Sequence, residues 1–272
     1  MKHNEENNIQ QLINGGYKAQ FGAAFSDASE IFKGIAGFSI LAFIIYFVAS
    51  TILSSFIGLI IPGNPMNVED IMEILQSGDE NLMNELILEA NENPNYLPSF
   101  INYFVQSALY PILYSVFVMA RKYDTHLNVD FSDIFVHYRD GKFLSLFLLT
   151  ISVNIIAAIG MVLCLIPGIL VYIFLMLSIP LVIFADANVK EAIKYSYKIV
   201  SKDFGTFAVA LLAIVGILIV GFLLCCVGIV AAMPFTYIII YALYKQIIGF
   251  PGESSEIDEI GTDIYKDNPY MK

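Results

Sequence analysis

The chain has 272 residues, of which 57% are hydrophobic and only 14% charged, against about 25% charged in soluble domains. A net charge of −11 argues against a nucleic-acid partner, whose phosphates call for a basic surface. The three cysteines, Cys164, Cys225 and Cys226, have no metal-type spacing and are too few for a disulfide framework.

The charge is unevenly placed. Phe143–Ala185 holds no ionisable acid or base in 43 residues, and Phe204–Tyr244 holds none either. An uncharged apolar stretch of roughly 18 residues is enough to cross a membrane, so each run is long enough for a hairpin of two spans.

Residues 1–16 form a polar tail without the apolar core of a signal peptide. Tyr17–Lys33 sets Tyr17, Phe21, Ala24, Phe25, Ala28 and Phe32 on one helical face and Lys18, Ser26, Asp27, Glu30 and Lys33 on the other. That pattern predicts a helix lying in the membrane interface. A first span follows over Phe38–Ile61, with a hairpin turn at Pro62 and Gly63. Residues 64–99 form an acidic insert with eight Asp and Glu and no Lys, Arg or His. Apolar residues at helical spacing in Val68–Gln76 and Asn81–Ala90 predict two short helices there.

The second span is Phe100–Ala120, with Pro111 as a kink, closed by Arg121, Lys122 and His126. Asp130–Arg139 is a second amphipathic segment, carried by Phe131, Ile134, Phe135 and Tyr138. The third span is Phe143–Ile166, the turn Pro167 and Gly168, and the fourth span Ile169–Ala185, kinked at Pro180. Ala187–Lys202 is the third amphipathic segment, opened by the capping pair Asn188 and Glu191. The fifth span is Phe204–Val227, the turn Gly228, and the sixth span Ile229–Tyr244, kinked at Pro234. Residues 249–272 form an acidic tail of disordered composition.

The units align with one another. A shift of 61 residues matches Phe143 with Phe204, Gly160 with Gly221 and Cys164 with Cys225. A shift of 105 matches Phe38 with Phe143 and Ile61-Pro62-Gly63 with Ile166-Pro167-Gly168. The expectation is an internal repeat with units at about 17–120, 128–185 and 187–248 within one membrane domain spanning 17–248. All fourteen Lys and Arg fall on one side of these six spans. The positive-inside rule makes that side cytoplasmic and places both termini there. The fold class expected is all-α and polytopic: three hairpins, each preceded by an amphipathic interfacial helix.

Ile166-Pro167-Gly168-Ile169, Pro180, Ala185-Asp186, Val189-Lys190-Glu191-Ala192-Ile193, Ser196 and Phe204 resemble a broad prokaryotic membrane family. It includes the membrane domain of glycerophosphodiester phosphodiesterases and the YciC-type inner-membrane proteins. The resemblance is strongest over 131–248 and implies six spans with interfacial helices in an inner membrane, mostly with no known activity. The phosphodiesterase activity of fused members belongs to a separate soluble domain, for which this chain has no room.

Chemistry-bearing motifs are scarce. His126 and His137 flank Asp130 and Asp133, but two histidines without helical ligand spacing read as interfacial surface residues rather than as a metal site. No cofactor signature is present. Asn154 is the most polar group deep in a span, a candidate for an interhelical bond or a substrate contact. Asn102 and Gln106 read as packing or interfacial groups. Cys164, Cys225 and Cys226 read as free apolar thiols, with an inter-hairpin disulfide as the alternative in an oxidising compartment. Lys190, Lys194, Lys198 and Lys202 form a stripe at four-residue spacing. Like charges at that spacing repel along a helix, and anionic headgroups would relieve them; a solvated basic face is the alternative. The reading is a non-enzymatic integral membrane protein that organises lipid or a protein partner. The alternative is a transporter or channel for a lipid-like or apolar solute. A polar pocket lined by Asn154 and opening to one side would favour transport, and a dry, tightly packed interior would favour the organiser.

Overall fold

The computed structural model describes residues 3–61, 84, 88, 95–224 and 227–250. Pro62, Gly63, nearly all of the acidic insert, Cys225, Cys226 and the tail beyond Phe250 lie outside them. Among the described residues the chain is helical, with no strand. Six helical stretches are long and apolar enough to cross a membrane, and the protein is an all-α polytopic membrane protein.

The helices are α1 (His3–Gly15), α2 (Phe21–Ile60), α3 (Leu97–Asp124), a 3₁₀ helix (Phe131–Tyr138), α4 (Phe143–Leu163), α5 (Leu165–Phe174), α6 (Ser178–Phe184), α7 (Val189–Val200), α8 (Phe204–Leu223) and α9 (Val227–Ile247). The spans divide into two classes. Half or more of the apolar window is buried in α3, in α5–α6 and in α9 (56%, 56% and 50%), against 11%, 28% and 17% in α2, α4 and α8. The return span of each hairpin therefore sits inside, and the lead span faces outward. Pro111, Pro180 and Pro234 all lie on the inner spans and are buried. A proline frees a carbonyl four residues back, which is tolerable in a membrane only where protein can surround it.

The first interfacial helix does not stand apart from the first span. α2 is one helix of 40 residues, ~60 Å long at 1.5 Å per residue. Its buried face, Ala24, Ala28, Ile31, Ile35, Ser39 and Ala42, keeps a spacing of three and four along both predicted segments, so one stripe serves both. Gly34 does not interrupt it: a Cβ there would fall 2.0 Å from the Tyr123 ring, and the glycine lets α3 approach. Two of the interfacial segments match expectation more closely. The 3₁₀ helix fills the second, and α7 fills the third with its capping pair in place: Glu191 N–H donates to Asn188 Oδ1 and Asn188 N–H to Glu191 Oε2, both at 3.0 Å.

The polar tail also departs from its reading. Residues 3–15 form α1, which packs on α7 with Ile9 fully buried and accepts a 2.8 Å bond from Tyr195 Oη at Glu6 Oε1. Ile9, Leu12 and Ile13, spaced three and four apart, are the helical signal that the polar composition obscures.

The hairpin turns sit elsewhere than Pro167, Gly168 and Gly228. The chain reverses at Cys164, a single extended residue (φ −173, ψ 153), and Cys164 is an exposed free thiol. Pro167 falls in the first turn of α5, where backbone N–H groups have no helical partner to lose. Gly168 and Gly228 are packing residues. A Cβ on Gly160 would lie 2.9 Å from Gly168 Cα, and one on Gly228 would lie 2.7 Å from the Gly221 carbonyl oxygen. Both tight hairpins close on a glycine pair.

At the end of the bundle that carries the basic residues, charges pair. Lys122 meets Asp133 at 2.7 Å, Lys142 meets Asp186 at 2.6 Å, and Lys245 meets Asp124 at 2.6 Å. His137 is not an interfacial surface residue. It is fully buried, with Nδ1 2.8 Å from Asp140 Oδ2. Burial alone would raise the Asp140 carboxyl, but hydrogen bonds from His137 and from the Lys142 backbone N–H, with attraction to both side chains, hold it below its ordinary range. No metal-binding group of three or more His, Cys, Asp or Glu occurs among the described residues.

Candidate functional site at a broken span

The fourth span is not one helix. α5 ends at Phe174, Leu175–Leu177 turn, and α6 begins at Ser178. Pro180 supplies the cause: without an N–H it cannot continue the ladder, and it is accommodated in the first turn of a new helix. Ser196 of α7 fills the gap. Its hydroxyl donates to the Phe174 carbonyl at 2.8 Å and accepts from Leu177 N–H at 3.2 Å. The buried face of α7 (Ala192, Tyr195, Ser196, Ile199 and Val200) thus seats on the break rather than only on the membrane surface.

Beside the break lies a cavity of about 300 Å³. It is walled by Tyr110 and Tyr114 of α3, Thr150 and Asn154 of α4, Tyr172 of α5, Ser178 of α6, Ile214 of α8, and Thr236 and Tyr237 of α9. Side chains from five of the six spans therefore converge on it, and apolar groups fill the intervening wall. No wall residue is Asp, Glu, Lys, Arg, His or Cys.

The polar groups of the wall are partly committed. Tyr114 Oη and Thr150 Oγ1 are 2.9 Å apart, Thr236 Oγ1 donates to the Met233 carbonyl at 2.7 Å, and Ser178 Oγ donates to the Leu175 carbonyl at 2.6 Å. Each hydroxyl that donates to backbone keeps lone pairs for an incoming donor. The Tyr103 hydroxyl, from the neighbouring span, donates to the Ile151 carbonyl at 3.2 Å. The Tyr237 hydroxyl has no hydrogen-bond partner among the described residues, although its ring packs edge-on against Tyr114 and Phe117 at centroid distances of 6.0 and 5.8 Å. This hydroxyl therefore keeps its hydrogen-bonding capacity uncommitted among the described residues.

Asn154 is thus brought to the cavity, together with tyrosines that the sequence did not single out. The four cavity tyrosines come from α3, α5 and α9, so no local spacing could have joined them. Pro180 adjoins the cavity at the break, and Pro111 directly follows Tyr110. Asn102 and Gln106 have a different role. Ser54 donates to Asn102 at 2.8 Å, Tyr46 donates to Gln106 Oε1 at 3.1 Å, and Gln106 Nε2 donates to Ser50 at 2.6 Å. They form a polar ladder that ties α2 to α3.

The four lysines of the stripe are exposed, three on α7 and Lys202 just past its end, and none lines the central cavity. Lys194 and Lys198 instead edge a groove of about 430 Å³ between α7 and the α4–α5 hairpin, lined by Ile156, Val171, Phe174, Leu175, Ile193 and Tyr197. Comparison with protein-family models, with curated proteins and with solved structures finds no match to this chain.

Proposed function

We propose that this integral membrane protein binds a small, uncharged, partly apolar solute in the central cavity and carries it through or within the membrane. The observation that carries this reading is the cavity beside the broken fourth span. Transporters commonly place their sites at interrupted helices deep in the bilayer, and irregular backbone at that depth belongs where it lines a cavity. A wall without acids or bases disfavours an ion, whose desolvation would go uncompensated. Tyrosine rings with hydroxyl, amide and carbonyl groups suit a guest with an apolar body and one or two hydrogen-bonding groups.

The reading includes a cytoplasmic membrane of a prokaryote with both termini inside, on the partition of Lys and Arg. It also includes descent of the three hairpins from one repeated unit, and kinship with the phosphodiesterase membrane-domain family on the motif around Ile166–Ile169. The organiser reading, with a protein partner or lipid held at the surface, keeps one observation in its favour: the exposed lysine face of α7.

Mass spectrometry of solvent extracts from protein purified out of native membranes tests the carrier. Wild-type protein is expected to release a small neutral compound. Val153→Phe with Ile214→Phe, which fills the cavity from two walls, is expected to release none while unfolding at the wild-type temperature. Identical extracts from both proteins would overturn the carrier reading.

A further inference from the structure

The groove under α7 has features that the central cavity does not share. Its floor is apolar, formed by Ile156 of α4, Val171 and Phe174 of α5, Leu175 of the following turn, and Ile193 of α7. Lys194 and Lys198 are among its lining residues, contributing apolar stem surface, and no acidic residue lines it. Elsewhere Lys122, Lys142 and Lys245 each have an acidic partner within 2.7 Å. Among the described residues, Lys190, Lys194, Lys198 and Lys202 form no ion pair; the Lys194 ammonium stands 5.5 Å from the Tyr195 ring centroid. Lys190, Lys194 and Lys198, at four-residue spacing on α7, repel one another, so α7 keeps a charge pattern that its own helix does not favour.

We propose that this groove is a binding site for one anionic phospholipid. The headgroup phosphate sits between Lys194 and Lys198, and one acyl chain lies along Val171, Phe174 and Ile156. Charge complementarity selects the occupant: two lysines whose stems edge an apolar trough match a molecule with an anionic head and a hydrocarbon tail. Tyr197, exposed at the rim, has the amphipathic ring favoured at headgroup level. The lysine stems can follow the trough wall while their ammonium groups reach the phosphate. Lys190 and Lys202 lie outside the groove lining and add only diffuse attraction to an anionic leaflet. Leu175 walls both this groove and the central cavity, so the lipid tail would abut the break that Ser196 holds.

Native mass spectrometry with phosphatidylglycerol and phosphatidylcholine as probes separates a site from a charged surface. Wild-type protein is expected to retain one phosphatidylglycerol at least tenfold more tightly than phosphatidylcholine. Lys194→Gln with Lys198→Gln is expected to abolish that preference, and Val171→Trp, which fills the trough, to remove the tight lipid with both lysines intact. Lys190→Gln with Lys202→Gln is expected to keep it. Thermal unfolding in a zwitterionic detergent, unchanged across the set, shows that each variant is folded. Equal loss from the two lysine pairs would overturn the site in favour of a diffuse basic face. Equal retention of both lipids by wild-type protein would overturn it as well. The outcome is independent of whether the central cavity carries a solute.

Discussion

Ser196 shows how one hydroxyl can hold a membrane helix broken. A turn inside a span leaves amide and carbonyl groups that lipid cannot satisfy, and Ser196 engages one of each, the Phe174 carbonyl and the Leu177 N–H. Ser196→Ala removes both bonds and leaves a buried donor unpaired, which typically costs ~1–3 kcal/mol. The expected outcome is a lower unfolding temperature in detergent together with faster hydrogen exchange confined to 174–178. Unchanged exchange there would mean that other groups hold the break. Asn154 and Tyr237 place one amide and one hydroxyl in the lining of the same cavity.

At the scale of elements, the two tight hairpins depend on backbone contact rather than side-chain interdigitation. Gly160 against Gly168 and Gly221 against Gly228 bring helices together at distances that leave no room for a methyl group, as small residues do at helix interfaces in membranes. Gly228→Ala must push the α8–α9 hairpin apart, and overpacking of this kind usually costs about 1–3 kcal/mol. Gly216→Ala meets nothing within 4 Å and is expected to be neutral or slightly stabilising, since alanine is the better helix former by about 1 kcal/mol. Thermal unfolding of the two variants in one detergent checks the contrast. Similar losses at both positions would point to a general intolerance of the spans instead.

For the whole molecule, orientation follows from charge. The proposed orientation rests on the six-span reading of the sequence, which puts the fourteen Lys and Arg on one side. In a cysteine-free background, an impermeant thiol reagent added outside is expected to modify a cysteine placed at Asn84 and to spare one placed at Ser255. The reverse pattern would turn the protein over. Burial adds a second asymmetry across the membrane plane, with proline-bearing spans inside and smoother ones outside. This places the irregular backbone where protein, not lipid, surrounds it.

By itself the sequence determined the six apolar spans, the three places where amphipathic segments lie, the cap at Asn188 and Glu191, and the charge partition. Each is local, written in composition or in a period of a few residues, and hydrophobic length needs no partner to be read. Tertiary structure decided the rest. It merged the first interfacial segment into α2, because a single stripe from Ala24 to Ala42 packs continuously against neighbours that sequence does not name. It moved the turn from Pro167 and Gly168 to Cys164, because both residues fit the first turn of a helix as well as they fit a reversal. It buried His137 against Asp140 and made a helix of the polar tail, since a docking surface on α7 rewards one thin apolar face. It also gathered Tyr110, Tyr114, Tyr172 and Tyr237 around Asn154. Residues up to 127 positions apart in the chain can share a wall only after the spans have packed, so the cavity has no signature in any one stretch of sequence.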